Sequence, residues 1–336
     1  MNILKSWLLT LFLFLFGATI SFAETRTSKE DKWFMPKPSA TWQIQLQGSV
    51  NTNYDNAEMY DIDLYDSSEA LIKQLQARGK NVICYFSAGS YEDWRSDADQ
   101  FNASDLGNAL DGWEGERWLD IRSDNVREIM KNRLDLAELK GCGGVDPDNM
   151  DGYLNESGLP INAQDQLNYN RFIANEAHER GLSVGLKNDL DQIEALVDYF
   201  DFAVNEQCFQ YDECDLLAPF IDQGKAVFNI EYDQKYTTGS NAENNRNQLC
   251  SNAQTRKLST LVMPLLLDDA FRLSCLEEND SPLGEQQDGT NSGETTEKDN
   301  ISDDENTSAG GTLTLEWFVF VWLFSGIYRK FFARRY

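Results

Sequence analysis

At 336 residues the chain is long enough for one α/β barrel or two smaller domains, and its formal net charge of −27 argues against nucleic-acid binding, because a phosphate backbone would be repelled. A single histidine, His178, and the lack of any Cys-x-x-Cys argue against a zinc site or a Ser-His-Asp triad. Six cysteines point instead to disulfides in an exported protein.

Residues 1–23 read as a secretory signal: Lys5 supplies the charged start, 8–16 the apolar run, and Ser21-Phe22-Ala23 a small-residue cleavage site before Glu24. The first strand candidate is 42–46, where apolar and polar residues alternate, and the second is 59–65, with Asp61 and Asp63 on one face. A helix over 68–78 closes at Gly79 and leads into a strong strand, 81–86, which empties into a polar and aromatic loop, 87–95. The run 118–121 reads as a short strand, 124–139 as a helix, and 143–153 as a buried strand opening into the acidic loop of Asp146, Asp148 and Asp151. Thereafter helices at 163–180, 193–199, 216–223 and 241–256 alternate with strands at 182–189, 200–206, 225–232 and 258–267.

This rhythm predicts a parallel sheet closed into a (β/α)8 barrel of the TIM type over 24–276. It yields one strand candidate too many, so either 42–46 is an edge addition or one of the shorter runs is a loop. An open doubly wound sheet is disfavoured because no Gly-x-Gly-x-x-Gly follows the first strand. The segment 277–311 has almost no large apolar residue and reads as an acidic, solvated linker. Beyond it, 312–336 combines an apolar stretch, interrupted by Glu316, with Arg329-Lys330 and Arg334-Arg335. With Gly310-Gly311 before it, this tail resembles the carboxyl-terminal sorting tags of Gram-negative bacteria; a plain membrane anchor is the alternative. Either places the catalytic part in the periplasm, at the cell surface or outside the cell.

In a barrel the site is assembled at the carboxyl ends of the strands. Those ends carry Asp61, Asp63, Tyr85, Asp120, Asp146, Asp148, Lys187, Asn188, Asn205, Glu206, Glu231, Tyr232 and Asp268. Carboxylates for acid/base work, amides for hydroxyls and aromatic faces for sugar rings together suit carbohydrate. A calcium or magnesium site at Asp146, Asp148 and Asp151 is the metal alternative, and no cofactor or metal is expected. Among the cysteines, Cys208 with Cys214 and Cys250 with Cys275 are the expected pairs, leaving Cys84 and Cys142 as candidate buried thiols.

Between 42 and 232 the chain resembles glycoside hydrolase family 114, the endo-α-1,4-polygalactosaminidases. The matching blocks are Tyr60-Asp61-Ile62-Asp63, Val82-Ile83-Cys84-Tyr85-Phe86-Ser87-Ala88-Gly89, Trp118-Leu119-Asp120-Ile121, Asp148-Asn149-Met150-Asp151-Gly152-Tyr153, Gly185-Leu186-Lys187-Asn188, Asn205-Glu206-Gln207-Cys208 and Asn229-Ile230-Glu231-Tyr232. The resemblance implies a barrel that cleaves α-1,4-linked galactosamine polymers within the chain, with Asp148 and Glu206 as the catalytic carboxylates. On this reading Asp148 is nucleophile or base and Glu206 the acid, the two roles being interchangeable, and Glu231 is the competitor for either. Asp61, Asp63, Asn188 and Asn205 would bond sugar hydroxyls or amines. Lys187 would tune a neighbouring carboxylate or sit in a buried ion pair. Tyr85, Trp94, Trp118 and Tyr232 are stacking candidates, with core packing as the other reading. A polymer lacking acetyl groups is cationic and would be drawn to an acidic site. The readings that compete with this one are a non-catalytic carbohydrate-binding barrel and a glycosidase of different sugar specificity.

Overall fold

The alternation of apolar and polar residues becomes strand wherever both faces of the resulting ribbon are covered. In the computed structural model, which describes residues 33–277, the chain opens with β1 (Trp42–Gln45), β2 (Met59–Asp63), α1 (Glu69–Ala77) and β3 (Asn81–Ser87). The expected signal peptide, the linker beyond Glu277 and the carboxyl-terminal tail lie outside the described residues. A small insertion follows: β4 (Ser90–Glu92), β5 (Leu106–Ala109) and β6 (Glu116–Leu119) pair antiparallel with one another in the order β4-β6-β5. The chain then returns through α2 (Asp124–Lys140), β7 (Gly144–Asp148), α3 (Ala163–Glu179), β8 (Ser183–Lys187), α4 (Ile193–Leu196) and β9 (Phe202–Glu206). The described residues continue through α5 (Ala218–Asp222), β10 (Val227–Glu231), α6 (Ala242–Arg256), β11 (Ser259–Val262) and the short antiparallel β12 (Leu273–Ser274).

The main sheet runs β1-β2-β3-β7-β8-β9-β10-β11-β12, parallel throughout except for its last strand. It curls into the (β/α)8 architecture, and contacts from the chain after β11 reach back to β1. The amides of Leu46 and Gln47 both donate to the carbonyl of Leu267, at 3.0 and 3.3 Å, while the Trp42 indole donates to the Ser259 carbonyl at 2.9 Å. The surplus strand candidate is the 118–121 run. It is neither a barrel strand nor a loop, because its residues pair with β4 and β5 in the insertion. Its period-2 pattern is genuine; what the pattern lacks is any mark of which sheet it joins.

Side chains on a strand point alternately to opposite faces, and the apolar residues here divide accordingly. Trp42, Ile44, Met59, Ile83, Phe202, Val204, Phe228 and Ile230 form one buried cluster, the barrel interior. Tyr60, Ile62, Val82, Cys84, Val145, Val184, Leu186 and Ala203 belong to the other, with Ile72 and Leu75 of α1 and Ile129 and Met130 of α2, so this is the helix-facing side. Parity therefore assigns every strand-end residue a side.

All six cysteines are in disulfides: Cys84–Cys142, Cys208–Cys214 and Cys250–Cys275. The second and third are the expected pairs. The first corrects the expectation of two buried thiols, since Cys84 on the helix-facing side of β3 lies beside Cys142, which precedes the neighbouring strand β7. His178 sits near the end of α3, where its ring stacks on Trp33 and its Nε2 is 2.9 Å from Asp201 Oδ2. Among the described residues no helix is long and apolar enough to cross a membrane.

Candidate active site

Three adjacent strands end on an acidic or basic residue, and each end is followed by a turn of the same hand. Asp148, Lys187 and Glu206 are the last residues of β7, β8 and β9, and the next residues, Asn149, Asn188 and Gln207, have φ of 61°, 48° and 63°. A left-handed residue turns the backbone sharply out of the sheet. By parity all three side chains point to the barrel side, together with those of Tyr85, Tyr232, Asp61, Asp63 and Asp146.

Lys187 joins the two carboxylates. Its Nζ lies 3.2 Å from Asp148 Oδ1 and 3.8 Å from Glu206 Oε2. Burial works against a charge on Lys187, but Asp148, Glu206 and Asp146 outweigh it and hold its pKa above the ordinary lysine value. The lysine is thus a fixed cation between two partly exposed carboxyl groups. Asp148 Oδ2 also accepts from the Tyr85 hydroxyl at 2.8 Å, and its Oδ1 from the Asn149 amide at 2.7 Å. Glu206 accepts from the Tyr232 hydroxyl at 2.5 Å and from Asn188 Nδ2 at 3.4 Å. The Asn188 side-chain oxygen takes the Glu206 amide at 3.0 Å and Asn205 Nδ2 at 3.2 Å, fixing its orientation.

Below this layer Asp61 and Asp146 are fully buried. None of their four carboxyl oxygens meets a donor group, so burial and the charge of one on the other both favour the protonated form. Burial, then the neighbouring Asp146 charge, drive the Asp61 pKa well up; burial raises Asp146 to about 7 against the pull of Lys187. Asp61 therefore lies in the floor, out of reach of solvent.

Other strand-end residues are committed elsewhere. Both oxygens of Asp63 bond to Arg95, at 3.0 and 2.7 Å, and Oδ1 also accepts from the amides of Tyr65 and Asp66. Asp120 follows the insertion strand β6, pairs with Arg122, and stands apart from the cluster. Asn205 and Glu231 have helix-facing parity: Asn205 joins an amide row with Asn229 and Thr260, and Glu231 Oε1 accepts from the Phe209 amide at 2.9 Å. Burial lifts the Glu231 pKa to about 7. Trp118 is buried, whereas Trp94 is 54% exposed. Among the described residues no group of three or more His, Cys, Asp or Glu side chains could hold a metal ion, so Asp146, Asp148 and Asp151 do not form one.

Four residues enter the cluster without having been assigned a role from sequence. Asn149 Nδ2 donates to Ser87 Oγ at 2.9 Å and Ser90 Oγ at 3.2 Å; Ser90 Oγ in turn donates to Glu116 at 2.7 Å. Burial raises Glu116 to about 7. Gly89 permits the approach: a Cβ there would lie 1.8 Å from the Asn149 carbonyl oxygen, while the amides of Ala88 and Gly89 donate to the Asp148 carbonyl. Ser87 and Asn149 adjoin assigned strand ends and were legible as neighbours. Glu116 belongs to a strand outside the barrel rhythm and carried no signal.

The profile of glycoside-hydrolase family GH114 matches residues 23–279. The chain belongs to this family. It is a glycoside hydrolase, as the sequence blocks implied. Among solved structures it is similar to Aspergillus fumigatus Ega3, determined in complex with galactosamine, at 45% identity and a TM-score of 0.68, covering 72% of this chain and 97% of that one. The glycoside hydrolase domain of PelA from Pseudomonas aeruginosa shares the fold at 13% identity, with a TM-score of 0.54 over 68% of this chain and 96% of that one. No curated protein gives a significant match. The three disulfides of this GH114 chain fit an oxidising, extracytoplasmic setting.

Proposed function

We propose that this GH114 protein is an exported endo-glycosidase that cleaves α-1,4-linked galactosamine polymers, with Asp148 and Glu206 as its working carboxylates. The observation that carries the reading is the pair of Lys187 contacts, 3.2 Å to Asp148 and 3.8 Å to Glu206, which bring two acidic side chains from separate strands to one cation. Those two contacts hold the bonded oxygens no more than about 7 Å apart, which accommodates a retaining pair at about 5 Å and only the near end of the inverting range. The likeness to Ega3, solved with galactosamine, supports the sugar.

Glu206, the more exposed of the two, protonates the glycosidic oxygen as the leaving group departs. Asp148, with Tyr85, Lys187 and the Asn149 amide at 2.8, 3.2 and 2.7 Å, lies closer to the lysine than Glu206 does and attacks the anomeric carbon or takes a proton from water. Asn188 and Tyr232 orient Glu206. The net charge of −27 supplies the long-range attraction for a sugar ammonium. The apolar run at 1–23 supplies export, and the 312–336 tail a sorting tag or anchor in a Gram-negative cell.

The test is incubation with deacetylated α-1,4-galactosamine polymer, following reducing ends and product length. The intact protein is expected to release oligomers, and Asp148→Asn or Glu206→Gln to lose about 10²- to 10⁴-fold in kcat while still binding polymer. An intact protein that binds but never cleaves any amino-sugar polymer would sink the reading, as would full turnover by either variant. The anomer of the first product, read by NMR, then separates retention from inversion.

A further inference from the structure

The insertion exposes two large aromatic side chains to solvent. Trp94 is 54% exposed and Trp113, at the turn of the β5–β6 hairpin, 42%, whereas tryptophan is normally well covered. Trp94 is not loosely held. Its neighbours Glu92 and Arg95 are buried, with Arg95 bonded to both Glu92 and Asp63 at the rim of the barrel. Its ring lies along the hairpin backbone: at Gly115, φ +90°, an added Cβ would sit 3.0 Å from Trp94 Cζ3 and 2.7 Å from Asp93 Oδ1. The Asp93 amide fastens this contact by donating to the Gly115 carbonyl at 3.2 Å. The next residue, Glu116, takes the Ser90 hydroxyl, and Ser87 and Asn149 carry that chain of bonds to Asp148.

The electrostatics have one sign. Asp93, beside Trp94 at Gly115, is exposed, as are Asp111 and Glu114 of the β5–β6 turn, and no Lys or Arg occurs between Arg95 and Arg117 in the sequence. Arg95 is engaged by carboxylates, and Arg117 by the Gly107 carbonyl. A flat apolar face with a carboxylate at its edge is what an amino sugar requires, its C–H face stacking on the ring while its ammonium meets the acid.

We propose that Trp94 and Asp93, seated against the β5–β6 turn, form a distal subsite that holds a galactosamine unit of the polymer away from the bond being cleaved. The inference rests on the polymer reading above. It gives the insertion a task that short substrates do not engage.

The experiment compares kcat/KM on long deacetylated polymer with kcat/KM on the shortest cleavable oligomer, for the intact protein, Trp94→Ala, Trp94→Phe and Asp93→Asn. The polymer-to-oligomer ratio should fall about 3- to 10-fold in Trp94→Ala, the range expected for one aromatic stacking contact, and recover in Trp94→Phe. The loss in Asp93→Asn should shrink as salt rises. Because Trp94 is exposed, an unchanged melting midpoint is expected and checks the fold. An intact protein that leaves the polymer uncut overturns both readings. One that cuts it, with an unchanged ratio in Trp94→Ala, overturns the subsite alone.

Discussion

Asp61 and Asp146 place a titrating pair in the floor of the site, and its protons have a thermodynamic consequence. Burial holds Asp61 well above and Asp146 at about 7, and Glu116, Glu231 and Asp189 are raised in the same sense, to about 7, 7 and 8. A carboxyl whose folded pKa exceeds its unfolded value keeps its proton longer in the native state, so the native form binds more protons than the unfolded chain between about pH 4 and those values. Stability from these groups is complete at the acid end of that window and is lost as pH rises through about 7 to 8. The melting midpoint is accordingly expected to fall from pH 5 to pH 8. Asp61→Asn, whose amide can donate to Asp146 without titrating, should flatten part of that slope. A midpoint that climbs across the same interval would refute the account in which burial keeps these carboxyls protonated.

At the scale of elements, the segment between β3 and β7 is tied to the barrel at several points. Cys84–Cys142 closes the span that carries the insertion and α2, with a sequence separation of 58, whereas Cys208–Cys214 spans only 6. Arg133 of α2, fully buried, donates to Asp97 at 2.9 and 3.0 Å and to the Ser87 carbonyl at 2.6 Å, and Arg95 anchors the insertion to β2. Loop-closure entropy makes the long disulfide worth about 4 kcal/mol and the short one about 2 kcal/mol. Urea titrations of the paired serine variants, Cys84→Ser with Cys142→Ser and Cys208→Ser with Cys214→Ser, should show the larger loss for the first. Equal or reversed losses would show that chain entropy is not what these bridges mainly supply. The long bridge was illegible in sequence because its partners meet only through strand pairing, while Cys208 and Cys214 flank one loop. For the same reason the sequence leaves open which of the nine strand candidates lies outside the barrel, in the event the 118–121 run. Local periodicity records burial, and sheet membership is decided by partners many residues away.

For the whole molecule, period-2 patterning was sufficient to predict the barrel, since eight of the candidate strands fall in the parallel sheet and their apolar residues separate into interior and helix-facing sets. The sequence placed Asp148, Lys187 and Glu206 at strand ends, but parity within a strand, which sets Asn205 and Glu231 on the far side, needs the register. Net charge is the molecular property that reaches furthest beyond the cleft. At −27 it creates an attractive field for a polycation well before contact. That field is felt over about 10 Å at 0.1 M salt and about 3 Å at 1 M, so its contribution to encounter is removable without touching a side chain. For deacetylated polymer kcat/KM should therefore fall several-fold as salt rises from about 0.05 to 0.5 M, mainly through KM, because the bonds that position Asp148 and Glu206 are partly shielded from solvent ions. A fully N-acetylated polymer of equal length has no charge to be steered and serves as the control. If both polymers respond to salt alike, the acidic surface is a solubility device and substrate capture is short-ranged. If only the cationic one responds, the charge excess belongs to the catalytic function.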